Sequence, residues 1–147
     1  MNKQVYLLAI AFLFLTLVQS KHFRRCEFAR ALASSGVPRE FISNYVCLAE
    51  TVSGLDTDIV KKSKTNPKVS NLGIFQIPSS EWCGINGKCN LPCEKLVDSD
   101  VRDDIQCAMK IQTAYGFKNW PKWLTRCKSN DSRDPNKFLP NLHNCGH

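Results

Sequence analysis

Beyond its first twenty residues the chain has no apolar run approaching the roughly 18 to 20 residues that cross a bilayer, so no membrane-spanning helix is expected in the remainder. It has no internal repeat and no low-complexity block, which excludes solenoid and propeller architectures. No long Lys/Arg run is present, so no nucleic-acid arm and no nucleic-acid partner is expected. At 147 residues a second sizeable domain has no room. Apolar residues are plentiful and charges of both signs are interspersed, which argues against intrinsic disorder.

What is present begins with a leader. Met1 to Ser20 carry one charge, Lys3, then an apolar core from Val5 to Leu15, and end Val18-Gln19-Ser20 with small residues at the −3 and −1 positions. This pattern reads as a secretory signal peptide over residues 1–20, leaving a single domain over 21–147 that is expected to be secreted and monomeric. All eight cysteines fall in that domain: Cys26, Cys47, Cys83, Cys89, Cys93, Cys107, Cys127 and Cys145. An even count in a secreted chain predicts four disulfides, although spacing alone leaves about 105 connectivities open. A zinc site around Cys89 and Cys93 is the rival reading; secretion and even pairing weigh against it. Twenty Lys+Arg against thirteen Asp+Glu give a net charge of +7, or +6 once Lys3 leaves with the leader. That excess suits attraction to anionic surfaces such as bacterial walls, and equally suits plain solubility.

Periodicity predicts a first helix over residues 24–35, with Phe28, Ala29, Leu32 and Ala33 on one stripe and Gly36 as its stop. A second helix opens at Pro38 and carries Phe41, Tyr45, Leu48 and Val52 on one face before Gly54. From Thr57 to Ser80 the helical period fails, and Ile74-Phe75-Gln76-Ile77 is the best strand of a small β region. Asp98-Ser99-Asp100 then caps a helix whose Val101, Ile105, Ala108 and Met109 face the core, and a short helix surrounds Trp120-Pro121-Lys122-Trp123. The polar tail from Lys128 contains a glycosylation sequon at Asn130 and is pinned by Cys145. The fold class is α+β, mostly helical with a small antiparallel sheet.

Several of these segments together resemble the C-type lysozyme and α-lactalbumin family: Lys21-His22-Phe23-Arg24-Arg25-Cys26, Asn44-Tyr45-Val46-Cys47-Leu48-Ala49, Gly73-Ile74-Phe75-Gln76-Ile77, Trp82-Cys83, Cys89-Asn90-Leu91-Pro92-Cys93, Asp104-Ile105-Gln106-Cys107-Ala108 and Trp120-Pro121-Lys122-Trp123. The resemblance implies bridges Cys26–Cys145, Cys47–Cys127, Cys83–Cys93 and Cys89–Cys107, and a cleft between a helical and a β lobe. It also places the family's catalytic Glu at Val52 and its catalytic Asp at Asn71, so neither carboxylate is present. Valine has no proton to give, and losing general acid catalysis alone costs on the order of 10² to 10⁴ in rate. Glu50 lies about 200° round the helix from Val52 and points away from the cleft. Asp56 and Asp58 lie beyond Gly54, where the sequence gives no geometry, and Glu81, which stands where the family has a cleft tryptophan, is the named candidate for a displaced acid.

The resemblance implies sugar-binding roles for Gln76, Trp82, Asn119 and Trp120, with Glu81 at the cleft lip. Pro78 stands where the family offers a backbone N–H to an N-acetyl group, and proline has none. A second implied site is a calcium loop, in which the side chains of Asp98, Asp103 and Asp104 and the carbonyls of Lys95 and Asp100 would bind Ca²⁺. Spacing alone would describe an acidic helix start. The functional expectation is a binder of glycans or glycoproteins containing N-acetylglucosamine; the alternatives are an active lysozyme acting on bacterial peptidoglycan through Glu81, or an α-lactalbumin-like partner protein.

Overall fold

In the computed structural model, residues 20–146 are described. The predicted leader therefore lies outside the described residues except for Ser20. Helix α1 spans Arg25–Ser34 and α2 spans Arg39–Ser53. Strands β1 (Val60–Lys62), β2 (Ser70–Leu72) and β3 (Ile77–Pro78) follow, then the short α3 (Ser79–Trp82). The chain continues through α4 (Val101–Tyr115) and α5 (Pro121–Arg126), with short 3₁₀ turns at Cys93–Leu96, Phe117–Asn119 and His143–Cys145.

The core forms where α2 passes between the other elements. Its Tyr45 ring meets Phe75 from the β region at 5.8 Å and Phe117 at 4.8 Å, and Phe75 in turn meets Phe28 of α1 at 5.7 Å. The two Tyr45 contacts are edge-on, a geometry that fixes orientation as well as burying area. Ile105, Ala108 and Ile111 bring α4 into the same cluster. Both early helices end as the glycines require: Gly36 and Gly54 have φ of +84° and +70°, where a side chain would be strained.

All four bridges join the pairs implied by the resemblance: Cys26–Cys145, Cys47–Cys127, Cys83–Cys93 and Cys89–Cys107. The first two tie the C-terminal part back to α1 and α2, and the last two order the Gly/Asn loop. Leu142 is also buried and Arg30 donates to the Cys145 carbonyl at 3.1 Å, so the tail is held by more than its cysteine.

The β region departs from expectation. Ile74-Phe75-Gln76 is not a strand but a buried turn, and only Ile77 of the predicted segment enters β3. Gly73 and Gln76 both have positive φ, and the Gln76 amide N–H closes the turn on the Gly73 carbonyl at 3.1 Å. Apolar content made this run look extended, whereas its residues are buried as a knot against α2. The sheet is instead a three-stranded antiparallel ribbon in the order β1-β2-β3. Its register sets Lys61 opposite Asn71, and Asn71 opposite Pro78.

Candidate active-site cleft

Val52 ends the core face of α2, and Asn71 sits in the middle of β2. Both line one cavity of about 480 Å³ between the sheet and the segment from Asn119 to Lys122. Gln76 and Pro78 belong to the same wall, and Asn119 and Trp120 face them. Gln76 is fixed there because its side-chain amide donates to the carbonyls of Ile59 at 2.8 Å and Gly73 at 2.9 Å. The Trp120 indole N–H donates to the Phe75 carbonyl at 2.9 Å, and the ring is only 5% exposed, so it offers an edge and not a free face. A larger hollow of about 640 Å³ between the start of α2 and the C-terminal segment contains none of the sites expected from the sequence.

Among the described residues no acidic side chain lines the cleft. Glu50 is turned outward into an ion pair with Arg25 at 2.6 Å, and Asp56 meets His22 at 2.7 Å. Glu81 lies apart from the cavity, paired with Lys88 at 2.6 Å. That lysine also sits 5.1 Å from the Trp82 ring centre and donates to the Tyr115 hydroxyl at 3.1 Å. Trp82 is 2% exposed beneath this cluster and does not line the cavity.

Basic residues take the place of acids. Lys61, Lys62, Lys64 and Lys122 all line the cleft. Lys61 Nζ donates to the Val52 carbonyl at 2.7 Å, and Lys61 is the cross-strand neighbour of Asn71. The sequence alone does not mark these lysines as a group. The signal was available in Lys61-Lys62-Ser63-Lys64, but it acquires meaning only once β1 is known to pair with β2.

The acidic segment before α4 is a separate site. Asp104 is 1% exposed and neither carboxylate oxygen has a hydrogen-bond partner. Burial first, then the neighbouring charges of Asp98, Asp103 and Asp100, push its carboxyl up to about 8. A buried carboxylate with two orphan oxygens fits the chemistry of a hard cation. The other expected ligands are not drawn into one cage: Asp98 accepts from the Asp100 amide at 2.8 Å and meets Lys95 at 3.5 Å, while Asp100 caps α4 through the Arg102 amide and pairs with its guanidinium, which holds the Asp100 carboxyl down at about 2. Among the described residues no three His, Cys, Asp or Glu side chains converge on one point.

Gly73 joins the two sites. Its φ is +67°, and a Cβ there would stand 1.8 Å from the Leu96 carbonyl oxygen and 2.8 Å from Asp104 Oδ1. Gly73→Ala is therefore expected to destabilise by about 3 kcal/mol or more, through overlap with backbone as well as strain. Denaturant midpoints of the two proteins measure it.

The model of the C-type lysozyme/α-lactalbumin family matches residues 21–135, most of the chain. The chain belongs to that family. It is 33% identical over 130 residues to Lysozyme c-1 of Anopheles gambiae, covering 86% of each chain. It is 37% identical over 139 residues to Lysozyme C-3 of Sus scrofa, covering 85% of this chain and 91% of that one. Its fold is similar to that of recombinant wild-type canine milk lysozyme, with a TM-score of 0.69 at 33% identity over 78% of this chain and 95% of that one. Four disulfides fit an extracellular member of the family.

Proposed function

We propose that this family member is a secreted glycan-binding protein without muramidase activity, taking N-acetylglucosamine-containing glycans or glycoproteins in the cleft of Val52 and Asn71. The observation that carries the reading is the pairing of an acid-free cleft with the Lys61 ammonium bonded to the Val52 carbonyl. Glycoside hydrolysis needs one carboxyl that donates a proton to the leaving oxygen and a second, ionised one that meets positive charge at the sugar carbon. Valine supplies no proton, asparagine no charge, and an ammonium nearby opposes the charge that develops. Glu81 cannot substitute from outside the cavity while Lys88 holds it.

Binding needs less than catalysis. Asn119 offers polar atoms, Gln76 a fixed wall and Trp120 an apolar edge, which suit a sugar ring with an acetamide substituent. Pro78 removes one backbone donor from that wall and lowers affinity without closing the site. We propose in addition a structural Ca²⁺ at the orphaned Asp104 carboxylate, for which the side chains of Asp98 and Asp103 and the carbonyls of Lys95 and Asp100 would have to turn inward; bound there, the ion would neutralise Asp104 and fix the start of α4.

The test is a clearing assay on a bacterial wall suspension alongside calorimetric titration with chitohexaose. The expected result is clearing no faster than a heat-inactivated control, with measurable heat at millimolar sugar. Clearing above that control overturns the reading in favour of the hydrolase that the names of the relatives suggest. Absence of both clearing and heat leaves the cleft without a glycan and favours a partner-protein role.

A further inference from the structure

We infer that the cleft is specific for an anionic glycan, one bearing carboxylate or sulfate groups, a conclusion that rests on the glycan-binding reading above and narrows it. Four ammonium groups line one concave surface to which, among the described residues, no carboxylate contributes. Among the described residues none of Lys61, Lys62, Lys64 and Lys122 enters an ion pair, although Lys21, Lys88 and Lys95 do. Lys61 reaches only the Val52 carbonyl, and Lys62 only the Ser70 hydroxyl at 3.3 Å.

Like charges gathered in a concavity repel one another and concentrate positive potential there, so the arrangement favours an anion from solution. Lysines on an exposed edge strand have a simpler use, blocking edge-to-edge aggregation, and β1 is such a strand. That use does not account for Lys122, which comes from α5 on the facing wall, nor for Lys64, which lies beyond the strand. Two separate elements converge on the same space with the same sign. The geometry suits a chain of sugars in the cleft with its acidic substituents against the β1 side and Lys122.

The experiment titrates the intact secreted protein with three hexasaccharides: neutral chitohexaose, hyaluronan with carboxylates, and chondroitin sulfate with carboxylates and sulfates. At about 50 mM salt the anionic sugars are expected to bind about tenfold tighter than chitohexaose, and the gap to close at about 500 mM salt. A preference for only one of the two anionic sugars supports the inference and names the group. The triple variant Lys62→Gln/Lys64→Gln/Lys122→Gln is expected to lose the preference while still binding chitohexaose. A control triple, Lys68→Gln/Lys110→Gln/Lys128→Gln, removes equal charge from outside the cavity and is expected to keep it. Equal affinity for neutral and anionic sugars, or equal loss in the two triples, overturns the inference and leaves the glycan cleft standing. Binding of none of the three overturns both.

Discussion

Removing calcium with EGTA is expected to lower the melting temperature by about 10 °C, and Asp104→Asn to abolish that response. A ligand at 100 times its dissociation constant stabilises by about 2.7 kcal/mol, and a domain of this size shifts by several degrees per kcal/mol. The argument starts from Asp104, buried with both oxygens unpartnered. Its carboxyl is pushed up to about 8 from an ordinary value of 3.8. In metal-free protein, folding therefore takes up a proton between those two values, and stability falls as pH rises through that window. Calcium requires the ionised form, so at a fixed calcium concentration its stabilisation is larger at pH 9 than at pH 6. The Asn variant, relieved of a buried charge, should match or exceed the native protein at pH 9 in EGTA. Identical midpoints for the native protein with and without EGTA at pH 9 would refute the calcium site.

Helices and bridges were legible in the sequence because their causes are local or combinatorial. The stripe through Tyr45, Leu48 and Val52, the stop at Gly54 and the N-cap at Asp100 each follow from one turn of backbone, and each stands in the structure. The bridge pairing followed from family resemblance, since spacing left it open. The turn from Gly73 to Gln76 was not legible: a short apolar run reads as a strand whether its residues alternate across a sheet or fold into a knot. Positive φ at Gln76, a non-glycine, is stabilised by its side-chain bonds to Ile59 and Gly73, which are known only in three dimensions.

The candidate site divides in the same way. Val52, Asn71, Gln76, Asn119 and Trp120 line one cavity. Glu81 and Trp82 form a separate cluster with Lys88 and Tyr115, because a carboxylate beside a lysine satisfies itself locally and the indole is left beneath the pair. The cationic wall was hidden because charge per residue says nothing about which face of a strand it occupies, and β1 was not foreseen. The opening net charge was equally compatible with solubility; four unpaired lysines in one cleft give part of it a location.

Restoring the two carboxylates alone, as Val52→Glu/Asn71→Asp, is expected to leave wall clearing near background, and adding Lys61→Ser to raise it at least about tenfold. A general acid must stay protonated near neutral pH, which requires an apolar surrounding that raises its pKa. A glutamate at position 52 would instead stand beside the ammonium that already bonds the Val52 carbonyl at 2.7 Å, and an opposite charge that close favours the ionised, proton-less form. The same ammonium, cross-strand from position 71, would neutralise the restored aspartate and repel the oxocarbenium-like centre. Replacing it removes all three obstacles at once, and general acid catalysis is then worth on the order of 10² to 10⁴ in rate. Melting curves establish that each variant is folded before its rate is read. If the double variant clears walls as fast as the triple, Lys61 is no barrier to catalysis and the two missing carboxylates alone account for the absence of clearing proposed for the native protein.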